Sequence, residues 1–140
     1  MKQYTKEKHL VFLVIIALSG WFVPGAGYFL LKQKTHAIII FTAIVLTFCI
    51  GLYIGSIGVV DPVGSWPWYT AQIMASPAVA VIGHYAKAGV YPAFGRPNEI
   101  GQIYTGIAGL LNLLCIVNAV YLAHLRVTGK TEAEIRCSII

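Results

Sequence analysis

A chain of 140 residues that is 58% hydrophobic, only 11% charged and formally +5 in net charge is not an ordinary soluble domain, in which about a quarter of the residues are charged. A single domain of this length has too little interior to hide that much apolar side chain from water, so a membrane is the expected solvent. The basic residues flank apolar runs, which excludes a nucleic-acid footprint and reads as a set of topology signals.

Residues 1–8, MKQYTKEK, form a basic head. The charge-free runs that follow are 9–31, 35–60, 62–86 and 100–125. Each exceeds the roughly 20 residues that a helix needs to cross hydrocarbon. The reading is all-α: one membrane domain over 1–140, an integral membrane helical bundle with four transmembrane helices at about 9–31, 36–57, 68–88 and 100–125, and a polar tail at 126–140. The first run begins like a signal peptide, and Ala17-Leu18-Ser19 has the form of a cleavage site. The apolar stretch continues to Leu31, so an uncleaved first span is expected.

Inside that run, Pro24, Gly25 and Gly27 predict a kink or turn. Proline removes a backbone hydrogen bond, and the glycines let the chain turn or another backbone approach. Two outcomes are open: a kinked span, or a helix that ends near Val23 with Gly25 to Leu31 lying in the interface. The short basic turn KQKTH makes spans one and two an antiparallel hairpin. Span two carries small residues on one face at Ala43, Thr47, Gly51, Gly55 and Gly58. GVVDPVGSWPWY then ends the helix, and Trp66, Trp68 and Tyr69 suit the headgroup layer.

The third run is the weakest. It holds three prolines together with Gln72, Ser76 and His84. An interfacial or re-entrant segment is the alternative there, tolerable only when packed against other helices. The loop GVYPAFGRPNE follows. In the last run Gly101, Thr105, Ala108, Asn112, Cys115 and Ala119 fall on one helix face, and Ile103, Ile107, Leu110, Leu114, Val117 and Tyr121 on another. Small residues let helices approach closely, and Asn or Thr bonds across the contact. The first set, with Gly51 and Gly55, is therefore read as packing, and the bulky set as a surface for lipid or a partner. In the tail, Thr131 with Glu134 has capping-box spacing. The ending Cys137-Ser138-Ile139-Ile140 has the form of a lipidation box and is read as coincidence.

With four spans and both termini inside, the inner side carries Lys2, Lys6, Lys8, Arg126, Lys130 and Arg136, and the outer side Lys32, Lys34, Lys87 and Arg96. The inside excess of basic residues favours cytoplasmic termini.

Chemistry is sparse. No Asp, Glu, Lys or Arg lies inside the three strong spans, unlike the usual ion-coupled carrier. GKT at 129–131 is not a phosphate loop, because His124 stands where that motif needs glycine. Cys49, Cys115 and Cys137 have no zinc or disulfide spacing. No nucleophile constellation is visible, so the chain is read as no enzyme. His9, His36 and His124 fall near span ends. His84 follows Ala80 and Ser76 on one face, a cleared strip beside an imidazole. It is the candidate ligand for haem or (bacterio)chlorophyll, with His9 and His124 as a remoter bis-histidine pair; otherwise no cofactor is expected.

The segments VPGAGYFLLKQKTHA and EIGQIYTGIAGLLNLLCIVNAVY resemble a family of small, uncharacterised bacterial polytopic membrane proteins, a domain of unknown function. The first hairpin alone is similar to that of TM2-domain proteins. In the family pattern an acid follows the LLNLL run, where this chain has Asn118, so no charge-based role is carried over. The resemblance implies a bacterial inner-membrane protein. The expected function is a small structural or accessory subunit of a larger membrane complex of respiratory or photosynthetic electron transfer. Its partners would be other integral membrane subunits and lipids. A self-assembling channel or small-solute carrier is the alternative, and a haem- or chlorophyll-binding electron-transfer subunit the third reading.

Overall fold

A computed structural model describes residues 2–61, 64–88 and 96–127; the capping-box and lipidation-box readings of the tail lie outside them. Those residues are helical, without a strand. The elements are α1 (Lys2–Phe22), α2 (Ala26–Leu30), α3 (Lys34–Gly55), a 3-10 turn (Ile57–Val59), α4 (Trp66–Ile73), α5 (Ala78–Ala88) and α6 (Arg96–Val127).

Only α3 and α6 run the length of the molecule, and both are long and apolar enough to cross a membrane. They lie antiparallel with glycine at the crossing. A Cβ on Gly51 would sit 2.7 Å from Thr105 Cγ2, and one on Gly101 would sit 2.8 Å from the Gly51 carbonyl oxygen and 2.9 Å from Gly55 Cα. No side chain fits there, so the backbones touch, as small-residue stripes allow.

The first apolar run is not one helix from 9 to 31. It breaks at Pro24, whose ring cannot continue the hydrogen-bond ladder and pushes the preceding residue out of helical geometry. Gly25 then takes φ 81°, and a Cβ there would stand 2.7 Å from the Ala37 carbonyl oxygen. The chain reverses. Gly27 packs on Ile16 and Ala119, so α2 returns along α1 and α6. It closes with Lys32 at φ 59° and with bonds from the Gln33 amide to Tyr28 and from the Lys32 amide to Phe29, a Schellman closure without the customary glycine.

The run assigned to span 68–88 breaks too. Helix α4 starts with a proline in its first turn and stops at Ile73. The oxygen of Ser76 then accepts from the amide of Ala78 at 3.3 Å, capping α5, with Pro77 in the first helical position that suits it. Helix α5 returns beside α4: a Cβ on Gly83 would meet the Tyr69 ring at 3.0 Å. The described residues therefore fold as two helices fit to cross a membrane, α3 and α6, flanked by two helical hairpins, α1–α2 and α4–α5, and the runs 9–31 and 62–86 are not continuous helices.

The hairpins come from opposite ends. His9 stacks on His124, and Arg126 donates to the Leu31 carbonyl. The start of α1, the α2–α3 turn and the end of α6 therefore share one end of the molecule. Gly55 meets Pro97 at the other. Ile16, Tyr28, Leu31, Ala37, Ala119, Leu122, Ala123 and Leu125 form the core at the first end, and Val60, Ala75 and Val79 a smaller one towards the second.

Candidate functional site

The two hairpin tips meet at Asn112, midway along α6. Its side-chain amide donates to the carbonyls of Gly20 at 3.2 Å and of Met74 and Ala75 at 3.0 Å each. The first belongs to the end of α1 and the other two to the end of α4. Trp21 Nε1 donates to the Ile73 carbonyl at 3.1 Å, and Ser76 Oγ to the Phe22 carbonyl at 3.2 Å. Each tip therefore supplies donors to the other. The physical need is plain: a helix ends with carbonyls that have no partner of their own, and here those of Gly20 and Ala75 are bonded in buried surroundings while that of Phe22 is bonded at the surface.

A second cluster lies about two turns along α6 towards its N-terminal end. Gln72, fully buried, donates to Thr105 Oγ1 at 2.8 Å and to the Val59 carbonyl at 3.3 Å. Thr105 Oγ1 in turn donates to the Gly101 carbonyl at 2.8 Å. Gln102 donates to Ser65 Oγ at 2.9 Å. Asn112 Oδ1 and Gln72 Oε1 are buried without a partner among the described residues. These amides meet acceptors on nearly every side, and both present their nitrogens to them. The arrangement holds helix ends together.

The residues singled out for packing, Gly51, Gly55, Gly101, Thr105, Ala108, Asn112 and Ala119, are all buried, and Pro24, Gly25 and Gly27 form the first hairpin's turn. The bulky set of α6 is uncovered from Ile103 to Tyr121, with Leu114 at 69% exposure. On α3 the small face meets α6 only at Gly51 and Gly55; Ala43 is exposed, Thr47 half-buried, and Gly58 lies in the 3-10 turn beyond the helix. His84 stands exposed on α5, edge-on to Tyr85, outside the bundle. His9 and His124 stack with centroids 5.1 Å apart at 17°. Rings stacked this way turn their nitrogens sideways and do not hold a flat macrocycle between them. Among the described residues no group of three His, Cys, Asp or Glu is arranged for a metal ion.

Trp21, Gln72, Ser76, Gln102, Gly106 and Gly109 went unrecognised as structural keys. A Cβ on Gly106 would meet the Trp68 ring at 3.2 Å, and one on Gly109 would collide with the Ala71 carbonyl oxygen. Gln102, Gly106 and Gly109 repeat at helical spacing, a second small face on α6 that seats α4. Ser76-Pro77 carries the same breaking signal as Pro24-Gly25.

Together these features define an all-helical protein with two helices fit to cross a membrane and two helical hairpins joined at their tips. The chain belongs to the family of unknown function DUF6677, whose pattern matches residues 15–131. No curated protein and no solved structure matches it.

Proposed function

We propose that this chain is a non-catalytic subunit embedded in the bacterial cytoplasmic membrane, crossing it with α3 and α6 while the two hairpins dip halfway from opposite sides. Broken backbone at membrane depth needs its polar groups satisfied within the protein, and the Asn112, Trp21 and Ser76 bonds supply those partners. The distribution of charge supports this topology more strongly than it supports four spans. Lys2, Lys6, Lys8, Lys32, Lys34 and Arg126 belong to one end of the described chain, and Lys87 and Arg96 to the other. By the positive-inside rule the first end, with both termini, faces the cytoplasm.

The observation that carries the subunit reading is the bulky stripe of α6, uncovered along Ile103, Ile107, Leu110, Leu114, Val117 and Tyr121, while Gln102, Thr105 and Asn112 of the same helix are buried. Docking uses this stripe and not the small-residue faces. A photo-crosslinking residue at Leu114 should capture a larger integral membrane partner in native membranes, and the purified chain alone should pass no ions in liposomes. Specific flux from the chain alone would overturn the reading. The absorption spectrum of the extracted complex reports whether its partners belong to respiratory or photosynthetic electron transfer.

Topology has its own test. In a variant lacking the native cysteines, Gln33→Cys should be shielded from an impermeant thiol reagent applied outside, and Ser65→Cys should react. Four spans require the reverse: Gln33→Cys reacts and Ser65→Cys is shielded.

A channel or carrier is the second reading, favoured by one observation: interrupted helices meeting at mid-depth are how many transporters build their sites. Against it, every carbonyl named at the junction already accepts from a side chain. A haem or chlorophyll on His84 would sit on the outer surface against a partner.

A further inference from the structure

The break in the first hairpin opens a groove on the face of the molecule that α3 shares with both tips. One cavity, of about 400 Å³, is lined by Val23, Pro24, Phe29, Leu30, Ile38 and Phe41 among others. A second, of about 310 Å³, shares Val23, Pro24 and Phe41 with it and continues past Val45 and Phe48 to Ile82. The two form one path along α3 from Ala37 to Cys49, about 18 Å at the helical rise per residue. That is close to half of the roughly 30 Å hydrocarbon core, the depth of one leaflet. Each volume falls in the range of ligand pockets, roughly 300–1,000 Å³.

The lining selects an apolar chain. Its only hydroxyls are Ser19 and Ser76, and both donate to backbone carbonyls, Ile16 and Phe22. The mouth selects a charge. Lys34, Ile38, Phe41, Val45 and Phe48 follow one another at spacings of 4, 3, 4 and 3 on α3, so Lys34 tops the very face that lines the groove. Lys32 stands beside it in the turn, and both are exposed. The acidic side chains among the described residues, Glu7, Asp61 and Glu99, lie on other elements.

We infer that this groove holds one acyl chain of an anionic phospholipid, with the phosphate at Lys32 and Lys34. Basic pockets on the cytoplasmic side of membrane proteins bind anionic headgroups in this way, and the topology above puts this mouth on that side. The inference rests on the chain's lying in a membrane but not on its being a subunit, so the crosslinking and flux results do not bear on it.

Native mass spectrometry of the full-length chain, with phosphatidylglycerol and phosphatidylcholine of equal chain length offered together, tests the proposal. One phosphatidylglycerol should be retained in preference. Lys34→Ala should weaken its retention about fivefold, the worth of one lysine at a lipid surface, and leave phosphatidylcholine unchanged. Ala78→Trp, which fills the inner half of the groove, should lower retention of both lipids. Lys87→Ala, at the opposite end, should change neither. Should Ala78→Trp fail to fold, Lys34→Ala and Lys87→Ala decide the matter without it. Equal retention of the two lipids, or equal losses from Lys34→Ala and Lys87→Ala, would overturn the proposal. So would lipid retention in Ala78→Trp that matches the parent chain.

Discussion

The α3–α6 pair and the junction of the hairpin tips lie within one small molecule but are held by different forces. Where α3 crosses α6, each helix satisfies its own backbone. The pair needs only closeness, which Gly51, Gly55 and Gly101 supply by having no side chain. At the junction two helices stop short and leave the carbonyls of Gly20, Phe22, Ile73, Met74 and Ala75 without helical partners. Closeness alone does not help there; donors are required, and Asn112, Trp21 and Ser76 provide them. A continuous helix in an apolar setting is stable by itself and asks its neighbours for shape. An interrupted one asks for hydrogen bonds, and the residue that supplies most of them becomes irreplaceable.

The sharpest way to break this contrast is Asn112→Leu. The side chain keeps its bulk and loses all three donated bonds, leaving buried carbonyls unpaired at about 1–3 kcal/mol each. A loss of about 3 kcal/mol or more is expected in unfolding from detergent. A loss below about 1 kcal/mol would mean that the tips are held by packing, as α3 and α6 are. Next in size, Gly101→Ala should cost about 1–3 kcal/mol by overpacking, although alanine is the better helix former. Combined with Gly51→Ala it should fall short of additivity, because both act at one contact. A stabilised Gly101→Ala would show that the crossing is looser than its geometry.

Smaller still, Trp21→Phe removes one bond and keeps an aromatic ring. About 1 kcal/mol is expected, read from the same unfolding curve. The smallest effect on the chain itself belongs to Leu110→Ala on the uncovered stripe, within about 0.5 kcal/mol. Its effect should appear elsewhere, as reduced co-purification of partners from native membranes. If instead it destabilises the chain as much as Gly101→Ala does, the stripe packs within the protein and the docking surface must be sought on another face.

Much of this was legible in the sequence. Helices α3 and α6 announce themselves by long uncharged runs, and the two faces of α6 by their spacing, because a helix that satisfies its own backbone is a local object. Pro24, Gly25 and Gly27 announced a break. Run length misled elsewhere: 9–31 and 62–86 are each long enough to cross, yet each folds back on itself. The prolines at 24 and 77 mark where the ladder fails, but not what the chain does next.

By itself, then, the sequence determined the apolar class of the chain, its helical composition, the break at Pro24 and the division of α6 into a small face and a bulky one. All follow from side-chain transfer energies and backbone sterics that act within a few residues. Only the tertiary structure decided that both broken runs reverse, that they do so from opposite ends and that Asn112 joins them. The lysines at 32 and 34 likewise share an end with the N-terminus only because α2 turns back. The physical reason is that a proline removes a hydrogen bond without naming its replacement. The donors for the orphaned carbonyls came from residues as much as 92 positions away in the chain.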